Sequence, residues 1–576
     1  MKKTETPKVE YKNVIPEKVD IILRYQKKKD FAIKFRQVKI NNWLKSEEIY
    51  NGVLQKSLLT RSNLHAPILF EGVQNMSAKI GQAPDVEFDT IPEGDENAEE
   101  LMKHVVKEDL KESGWNLIYE NGKIEGGIYG RGVWKVIPGN DKNTVELVDT
   151  LSFLIDPLAK NTKDALYCGQ QFIYKTIEEI EDEADEMEYD TEEISKLKEY
   201  KVPSDIQTSS NTEESQKNIR LQNMGLSNTN MYGSKVAEIT EWYSYNKDNE
   251  LMIDTVANDV YLLRHKKAEE SGLERNPFIA PGTYTRGITF WCPSVADLYR
   301  DTNLAYDCTL NQAIDNNTYR NFNMLLVDSA TGFKQSSLIM RPNGVSSIQV
   351  PVGKSIKDVA FPLEVPEISS ALATGQNIKQ ITDSASGLAP AQMQGKGGKV
   401  SVTMQAKLNA DVEARITVMK RNYTEACEEL YQLMADITAK RLTKPRKVKI
   451  FGYKTITIND VTKKNFKDVK LVARAVPAED SVQNKAIKQK AKMDLFMAFK
   501  DDPKVTGQLA MRRSVAKSFD IEPDEIESWF TAEEQPQPQQ PAMPQQQPGE
   551  QKAPTDATPL LGATQSGAQA QVPKQI

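Results

Sequence analysis

The chain has 576 residues, of which 39% are hydrophobic and 27% charged, and its formal net charge is −7. That length can bury one or more sizeable cores, and no apolar run approaches the ~20 residues of a membrane helix, so a soluble globular protein without a membrane partner is expected. Proteins that grip DNA tightly are usually basic, because affinity comes from neutralising phosphates; the acidity therefore argues against a repressor or a coating protein.

Other classes are disfavoured by residue usage. Cys168, Cys292, Cys308 and Cys427 are scattered and form no C-x-x-C, so they are expected to be reduced, core-type thiols of a cytosolic product. His65, His104 and His265 lie far apart in sequence, which makes a His-based metal or triad site unexpected. The segment Met1 to Pro7 lacks the apolar core of a signal peptide, so export is not expected.

In chain order, residues 14–63 read as helical, with Ile21, Ile22, Tyr25, Trp43, Leu44, Ile49 and Tyr50 as apolar positions. Lys27, Lys28, Lys29, Lys34, Arg36 and Lys39 between them are candidates for phosphate contact, or simply a solvated helix face. Residues 63–92 read as short strands and turns. A helix is expected from about Glu96 to Gly126-Gly127, on the stacking of Met102, Val106 and Leu110. Strands at 132–137 and 144–148 are joined by the turn Pro138-Gly139-Asn140-Asp141, and another strand is expected at 170–174. Residues 177–201 are acidic enough to raise a cation site, but carboxylates all round a helix read better as a solvated surface. Residues 204–230 are polar and nearly free of aromatics, a mobile loop by composition. Residues 236–246 and 251–263 alternate as paired strands around Lys247-Asp248-Asn249.

Ser294-Val295-Ala296-Asp297, behind Pro293, is an S-x-x-D capping signature for a helix running to about Asn323. A β-like insert follows over 325–365, with turns at Arg341-Pro342-Asn343-Gly344 and Pro351-Val352-Gly353. A second helix shows Ile368, Leu372, Ile378 and Ile381 at helical spacing and stops at Gly387. A glycine-rich loop carries Lys396 and Lys399. The longest helical pattern comes next, with Leu408, Val412, Ile416, Met419, Tyr423, Cys427, Leu430, Met434 and Ile437 on one face. About forty residues give a rod of about 60 Å. Residues 440–474 are basic with Phe451, Tyr453 and Phe466 interleaved, either a nucleic-acid surface or strands with lysines on the wet face. Helices anchored by Leu495, Phe496, Phe499, Ile526, Trp529 and Phe530 are expected over 481–530. The Gln/Pro-rich remainder is expected to be disordered, since it cannot bury enough apolar surface to offset its ordering entropy.

The order helix, β insert, helix, Gly-Lys loop, long helix resembles the tailed-bacteriophage portal protein family, the head-to-tail connectors through which double-stranded DNA passes. Upstream, Tyr129-Gly130-Arg131-Gly132 is similar to that family's Y-G-x-G strand entry, and Leu154-Ile155-Asp156-Pro157 with Asp164-Ala165 to its I-D-P…D-A segment. The resemblance covers roughly residues 10 to 530. It implies an α+β portal-protein fold: an α/β wing (1–292), a first stem helix (293–323), a small β-containing clip (324–367), a second stem helix (368–386), a tunnel loop (387–399), a long wing/crown helix (400–442), wing return strands (443–475), crown helices (476–533) and a disordered tail (534–576). It further implies a ring of twelve copies at one capsid vertex, assembled in the host cytoplasm. The partners it implies are double-stranded DNA in the channel, the terminase large subunit, major capsid and scaffolding proteins, and a head-tail adaptor. Tunnel-loop residues Gln392, Gln394, Lys396 and Lys399 would face DNA. Tyr129, Gly130, Gly132, Asp156, Pro157 and Gly387 would be structural. Polar residues spread round the first stem helix, among them Asp297, Arg300, Asp301, Asn311, Asp315, Asn316 and Asn317, would be satisfied by neighbouring copies and channel water.

No catalytic residues, cofactor or metal are expected. Gly395-Lys396-Gly397-Gly398-Lys399 fails G-x-x-x-x-G-K-[ST], since Gly397 and Val400 follow the lysines. No G-x-S-x-G or H-E-x-x-H occurs, against a packaging nuclease or helicase. In the resembled family a separate ATPase drives packaging. A different phage structural protein, of minor-capsid or scaffold type, is the alternative; it suits the long helices and tail but not the two upstream motifs.

Overall fold

The computed structural model describes residues 17–476, apart from 54–59, 92–95, 140–141, 200–235, 322–324, 328–349, 389–401 and shorter breaks within 351–368 and 443–469, together with residue 497. The expected loop at 204–230, the turn at 341–344, the expected helices at 481–530 and the tail lie outside these residues.

Helix α1 (Glu17–Tyr50) is shorter than the expected 14–63; Gly52, with φ +69°, follows its end. It buries Tyr25, Ala32, Ile40, Trp43 and Ile49. Two of its supposed solvated cations are inside: Lys29 pairs with Asp259 at 2.6 Å, and Arg36 donates to the Leu151 carbonyl. Residues 63–92, read as strands and turns, instead hold helix α2 (Ile68–Ile80) and strand β1 (Asp85–Ile91). Pro67, Gly72, Gly81 and Pro84 look like turn punctuation, yet Leu69, Val73, Met76 and Ile80 recur at helical spacing and are buried. The single helix expected from Glu96 is two, α3 (Glu96–Glu112) and α4 (Trp115–Tyr129), broken at Gly114, whose φ of +70° no helix continues through.

Strands β2 (Val133–Ile137) and β3 (Thr144–Val148) pair antiparallel as expected, and β9 (Phe278–Ile279) adds to the free edge of β2. A five-stranded antiparallel sheet runs in order β4 (Phe153–Ile155), β5 (Tyr167–Thr176), β6 (Val236–Tyr245), β7 (Leu251–Ala257) and β8 (Tyr261–Lys267). The strand expected over 251–263 is thus two. Asn258 and Asp259 both take positive φ (48° and 59°), which lets the chain reverse there. Between β5 and β6 the acidic segment folds into short helices α5 (Ile177–Asp182), α6 (Ala184–Met187) and α7 (Thr191–Glu199). A reciprocal capping box, Thr176 with Glu179, starts α5. No cluster of metal-binding residues occurs among the described residues.

Helix α8 (Val295–Asn321) starts as its sequence predicts: the Asp297 amide donates to Ser294 Oγ at 2.9 Å, and the Ser294 amide to Asp297 Oδ2 at 3.1 Å. The insert contains β10 (Leu325–Val327), α9 (Ile356–Val359) and β11 (Ala360–Pro362), with β10 and β11 antiparallel. Helix α10 (Ser369–Ser386) ends at Gly387, φ +74°. Helix α11 (Val402–Arg441) spans 40 residues and buries every predicted face position from Ile416 to Ile437; its side chains before that are not described. The basic segment forms β12 (Arg446–Phe451), paired with β13 (Ile456–Val461), and β14 (Lys470–Val476), paired with β1. Strands are thus present in 440–474 as expected, although Lys440 and Arg441 still belong to α11, and the side chains of Lys447 and Lys449 lie outside the described residues.

One apolar cluster joins α1 to α4, β1 to β3, β9, α8 and α11. Its centre is aromatic: Trp134 lies 5.0 Å from Trp115, 5.7 Å from Tyr119 and 6.2 Å from Tyr423, ring centroid to centroid. Cys168, Cys292 and Cys427 are buried as expected, but Cys308 is exposed on α8. Among the described residues no helix is long and apolar enough to cross a membrane.

Candidate functional site

The motif Tyr129-Gly130-Arg131-Gly132 closes α4 and opens β2. Gly130 has φ +93°, and a Cβ there would meet the Cys292 carbonyl oxygen at 2.3 Å; one on Gly132 would meet the Gly122 oxygen at 2.1 Å. Only glycine fits either backbone approach. Arg131 is buried. Its Nε donates to the Phe290 carbonyl at 2.6 Å, its other nitrogens to the carbonyls of Ala280 and Lys160, and its guanidinium lies 4.5 Å from the Phe290 ring centroid. The motif therefore fastens α4 to the segment leading into α8. Asp156 plays a similar part at the end of β4: its Oδ1 accepts the Leu158 amide at 3.0 Å, a local turn at the mouth of Pro157.

Helix α8 is held on one flank by hydrogen bonds rather than apolar contact. Asn303, Asp307, Asn311 and Asp315 recur every fourth residue and so share one face. Against them runs a strap, residues 61–69. Asp315 accepts the amides of Arg61 and Ser62 at 2.6 and 2.9 Å and the Ser62 hydroxyl at 2.6 Å. Asn311 accepts the Leu64 amide at 2.7 Å and donates to the Leu64 carbonyl at 2.9 Å. Asp307 accepts the Ala66 amide and faces His65 Nδ1, both at 2.8 Å. Asn303 accepts the Leu69 amide at 2.9 Å. Leu69 lies in the first turn of α2, where amides have no intrahelical partner, and Pro67 offers no side-chain cap, so Asn303 caps α2 from another helix. The Ser62 hydroxyl and the strap amides hold the Asp315 carboxyl below the usual aspartate range.

The other flank of α8 meets α10. Thr302 and Thr382 exchange a hydroxyl bond at 2.7 Å. Tyr299 donates to Asp383 at 2.9 Å and bonds Ser386 Oγ at 2.8 Å; Ser386 Oγ also accepts the Leu388 amide at 3.2 Å. Burial raises Asp383 above the usual carboxylate range, and the Tyr299 bond offsets only part of that. The Tyr299 ring in turn lies 3.2 Å from where a Cβ on Gly72 would stand, a close crossing that a larger residue would crowd. Lys79 reaches the Gly387 carbonyl at 3.4 Å, and Tyr284 the Ser386 carbonyl at 3.2 Å. The point where α10 passes into the Gly-Lys loop is thus tied to α2, α8 and the segment before α8.

Gln392, Gln394, Lys396 and Lys399 lie outside the described residues. Tyr129, Gly130, Gly132, Asp156, Pro157 and Gly387 are placed, and each serves packing or chain reversal. The polar residues of α8 are the correction: Asn311 and Asp315 are satisfied by the strap of their own chain, and Asp297 by Ser294. Asn303 and Asp307 complete that face, and Asn/Asp at i, i+4, i+8 and i+12 is the sequence signal for it.

The chain is mixed helix and sheet, with two packed helices separated by a small β-paired insert and followed by a 40-residue helix. The chain belongs to the family described as the phage SU10 portal protein, whose model matches residues 74–470. That span takes in both upstream motifs, α8, α10 and α11. No curated protein matches the chain.

Proposed function

We propose that the chain forms the portal ring at one capsid vertex, through which double-stranded DNA is packaged and later ejected. In this reading α8 and α10 are the stem, residues 324–367 the clip, 387–399 the tunnel loop, α11 the helix joining wing to crown, and 534–576 a tail. Twelve copies, a docked terminase large subunit, capsid and scaffolding proteins, and a head-tail adaptor complete the assembly in the host cytoplasm and virion. The observation that carries this is the packing of α8 against α10 across an insert closed by β10 and β11, inside the span of the family match.

The charge of α10 supports a conduit. Lys379 and Asp383 are its only charged residues; Lys379 pairs with Glu71 at 2.8 Å and Asp383 is buried. What α10 exposes, including Asn377, Gln380, Ile381 and Ser384, is neutral, which suits a wall past which DNA slides. Electron microscopy of the purified chain tests the reading: rings with a central channel are expected, and one- or two-chain particles at every salt concentration refute it. Within assembled particles, Lys396→Ala with Lys399→Ala is expected to leave rings intact and weaken DNA retention, the effect shrinking as salt rises. Retention equal to the unaltered chain at low salt would leave those lysines no part in holding DNA.

A further inference from the structure

The sheet β4 to β8 is a divider. Side chains of one parity, Thr240, Trp242, Val256 and Leu262, pack on α1: Trp242 meets the Tyr25 ring edge-on at 5.5 Å, and Lys29 reaches Thr240 at 3.5 Å. Those of the other parity, Ile239, Ala257 and Leu263, pack on Ile180, Ile194 and Leu197 of α5 to α7. Alternate residues of a strand point to opposite faces. Helix α1 and the trio α5 to α7 therefore pack on opposite faces of one sheet; they meet at its rim, where Lys18 in the first turn of α1 reaches Asp190 at 2.7 Å and Glu193 at 3.5 Å.

Their outer surfaces are complementary. The outer face of α1 exposes Arg24, Lys27, Lys34 and Lys45 against one acid, Asp30. Lys27, Lys34 and Lys45 make no ion pair among the described residues. Between these cations stand Phe31, 61% exposed, and Val38, 77% exposed, in line with Val19 and Leu23. A purely solvated face has no use for that apolar row. The outer face of α5 to α7 exposes Glu178, Asp182, Asp185 and Glu192, and its exposed cations, Lys196 and Lys198, are paired with Glu193 and Glu181.

Complementary patches on opposite faces of one sheet give a head-to-tail contact, which repeats from copy to copy and closes into a ring when the rotation allows; a self-matching contact would set lysine on lysine. We infer that the outer face of α1 on one copy docks onto the outer face of α5 to α7 on the next. The charges select partner and orientation, and Phe31 and Val38 are the buried anchors. This rests on the ring reading above and adds which surfaces meet.

The test uses the full chain, with native mass spectrometry and negative-stain images at low and high salt. Lys27→Glu with Lys34→Glu, or separately Glu178→Lys with Asp182→Lys, is expected to lower the ring fraction at fixed chain concentration at least about tenfold at low salt. Combining the two sets is expected to restore most of it, and Phe31→Ser to lower it at either salt, with circular dichroism unchanged throughout. Unaltered rings in the one-sided variants overturn the inference while leaving the portal ring in place. Loss without restoration in the combined variant overturns it too. An unaltered chain that never closes rings overturns both readings.

Discussion

Helices α8 and α11 are both long and both contribute to the main apolar cluster, yet they are fixed by different physics. Helix α11 buries Met419, Tyr423, Cys427, Leu430, Met434 and Ile437, a stripe whose stabilisation grows with area and is indifferent to direction. Helix α8 buries Asn303, Asn311 and Asn316 beside Tyr299, and its flanks are hydrogen bonds to the strap and to α10. Apolar contact tolerates small shifts of register, whereas a ladder of side chains matched one by one to the amides of Ser62, Leu64, Ala66 and Leu69 does not. The helix proposed to carry the stem is thus the one whose position is set by directional bonds.

Substitutions separate the two modes. Tyr423→Ala, in the fully buried aromatic cluster, is expected to cost about 3–5 kcal/mol in denaturant titration of the isolated chain. Leu430→Met, which keeps volume, is expected to cost under about 1.5 kcal/mol. On α8 the order of tolerance reverses. Asn311→Leu keeps volume but leaves the amide and carbonyl of Leu64 without partners, and is expected to cost about 1–3 kcal/mol. Equal tolerance of Leu430→Met and Asn311→Leu would erase the distinction.

Acid sharpens it further, because the two flanks of α8 respond with opposite sign. Asp315 has a depressed folded pKa, so its contribution is present above the unfolded value, about 3.9, and is lost as pH falls through the lower folded value. Asp383 has a raised folded pKa, so its ionisation costs stability as pH rises through that range, and acid relieves the cost. At pH 7, Asp315→Asn is expected to lower the thermal midpoint and Asp383→Asn to leave it unchanged or raise it. Shifts of the same sign in both would contradict the account. The smallest effect belongs to Lys379→Ala, which breaks a partly exposed pair with Glu71 and is expected to cost at most about 1 kcal/mol.

What the sequence shows follows the same division. The stripe of α11, the capping box of Ser294 and Asp297, the stop at Gly387 and the pair β2–β3 are local patterns, and each is where the sequence puts it. The break at Gly114 hides inside a continuous apolar rhythm, because one left-handed residue leaves the flanking periodicity intact. Helix α2 hides for the opposite reason: Pro67 and Gly72 look like breakers, but the first sits before the helix and the second admits the Tyr299 ring. The strap is the hardest feature to read. Its residues are unremarkable, and their partners lie more than two hundred positions away, so only the fourfold spacing of Asn303, Asp307, Asn311 and Asp315 on the far side betrays it. The two short motifs, Tyr129 to Gly132 and Asp156-Pro157, were legible as family signatures, while their physical reason, close backbone approach and a buried arginine, needed the fold.

Amide hydrogen exchange across residues 61–69 tests the account of α8 most directly. A strap held only by loose surface contact would exchange near the rate of a free peptide, since it forms no sheet and is helical only from Ile68 onward. The account predicts slow exchange at Ser62, Leu64, Ala66 and Leu69, with Leu64 becoming fast in Asn311→Leu while Leu69, bonded to Asn303, stays slow. Fast exchange at all four amides in the unaltered chain would contradict it.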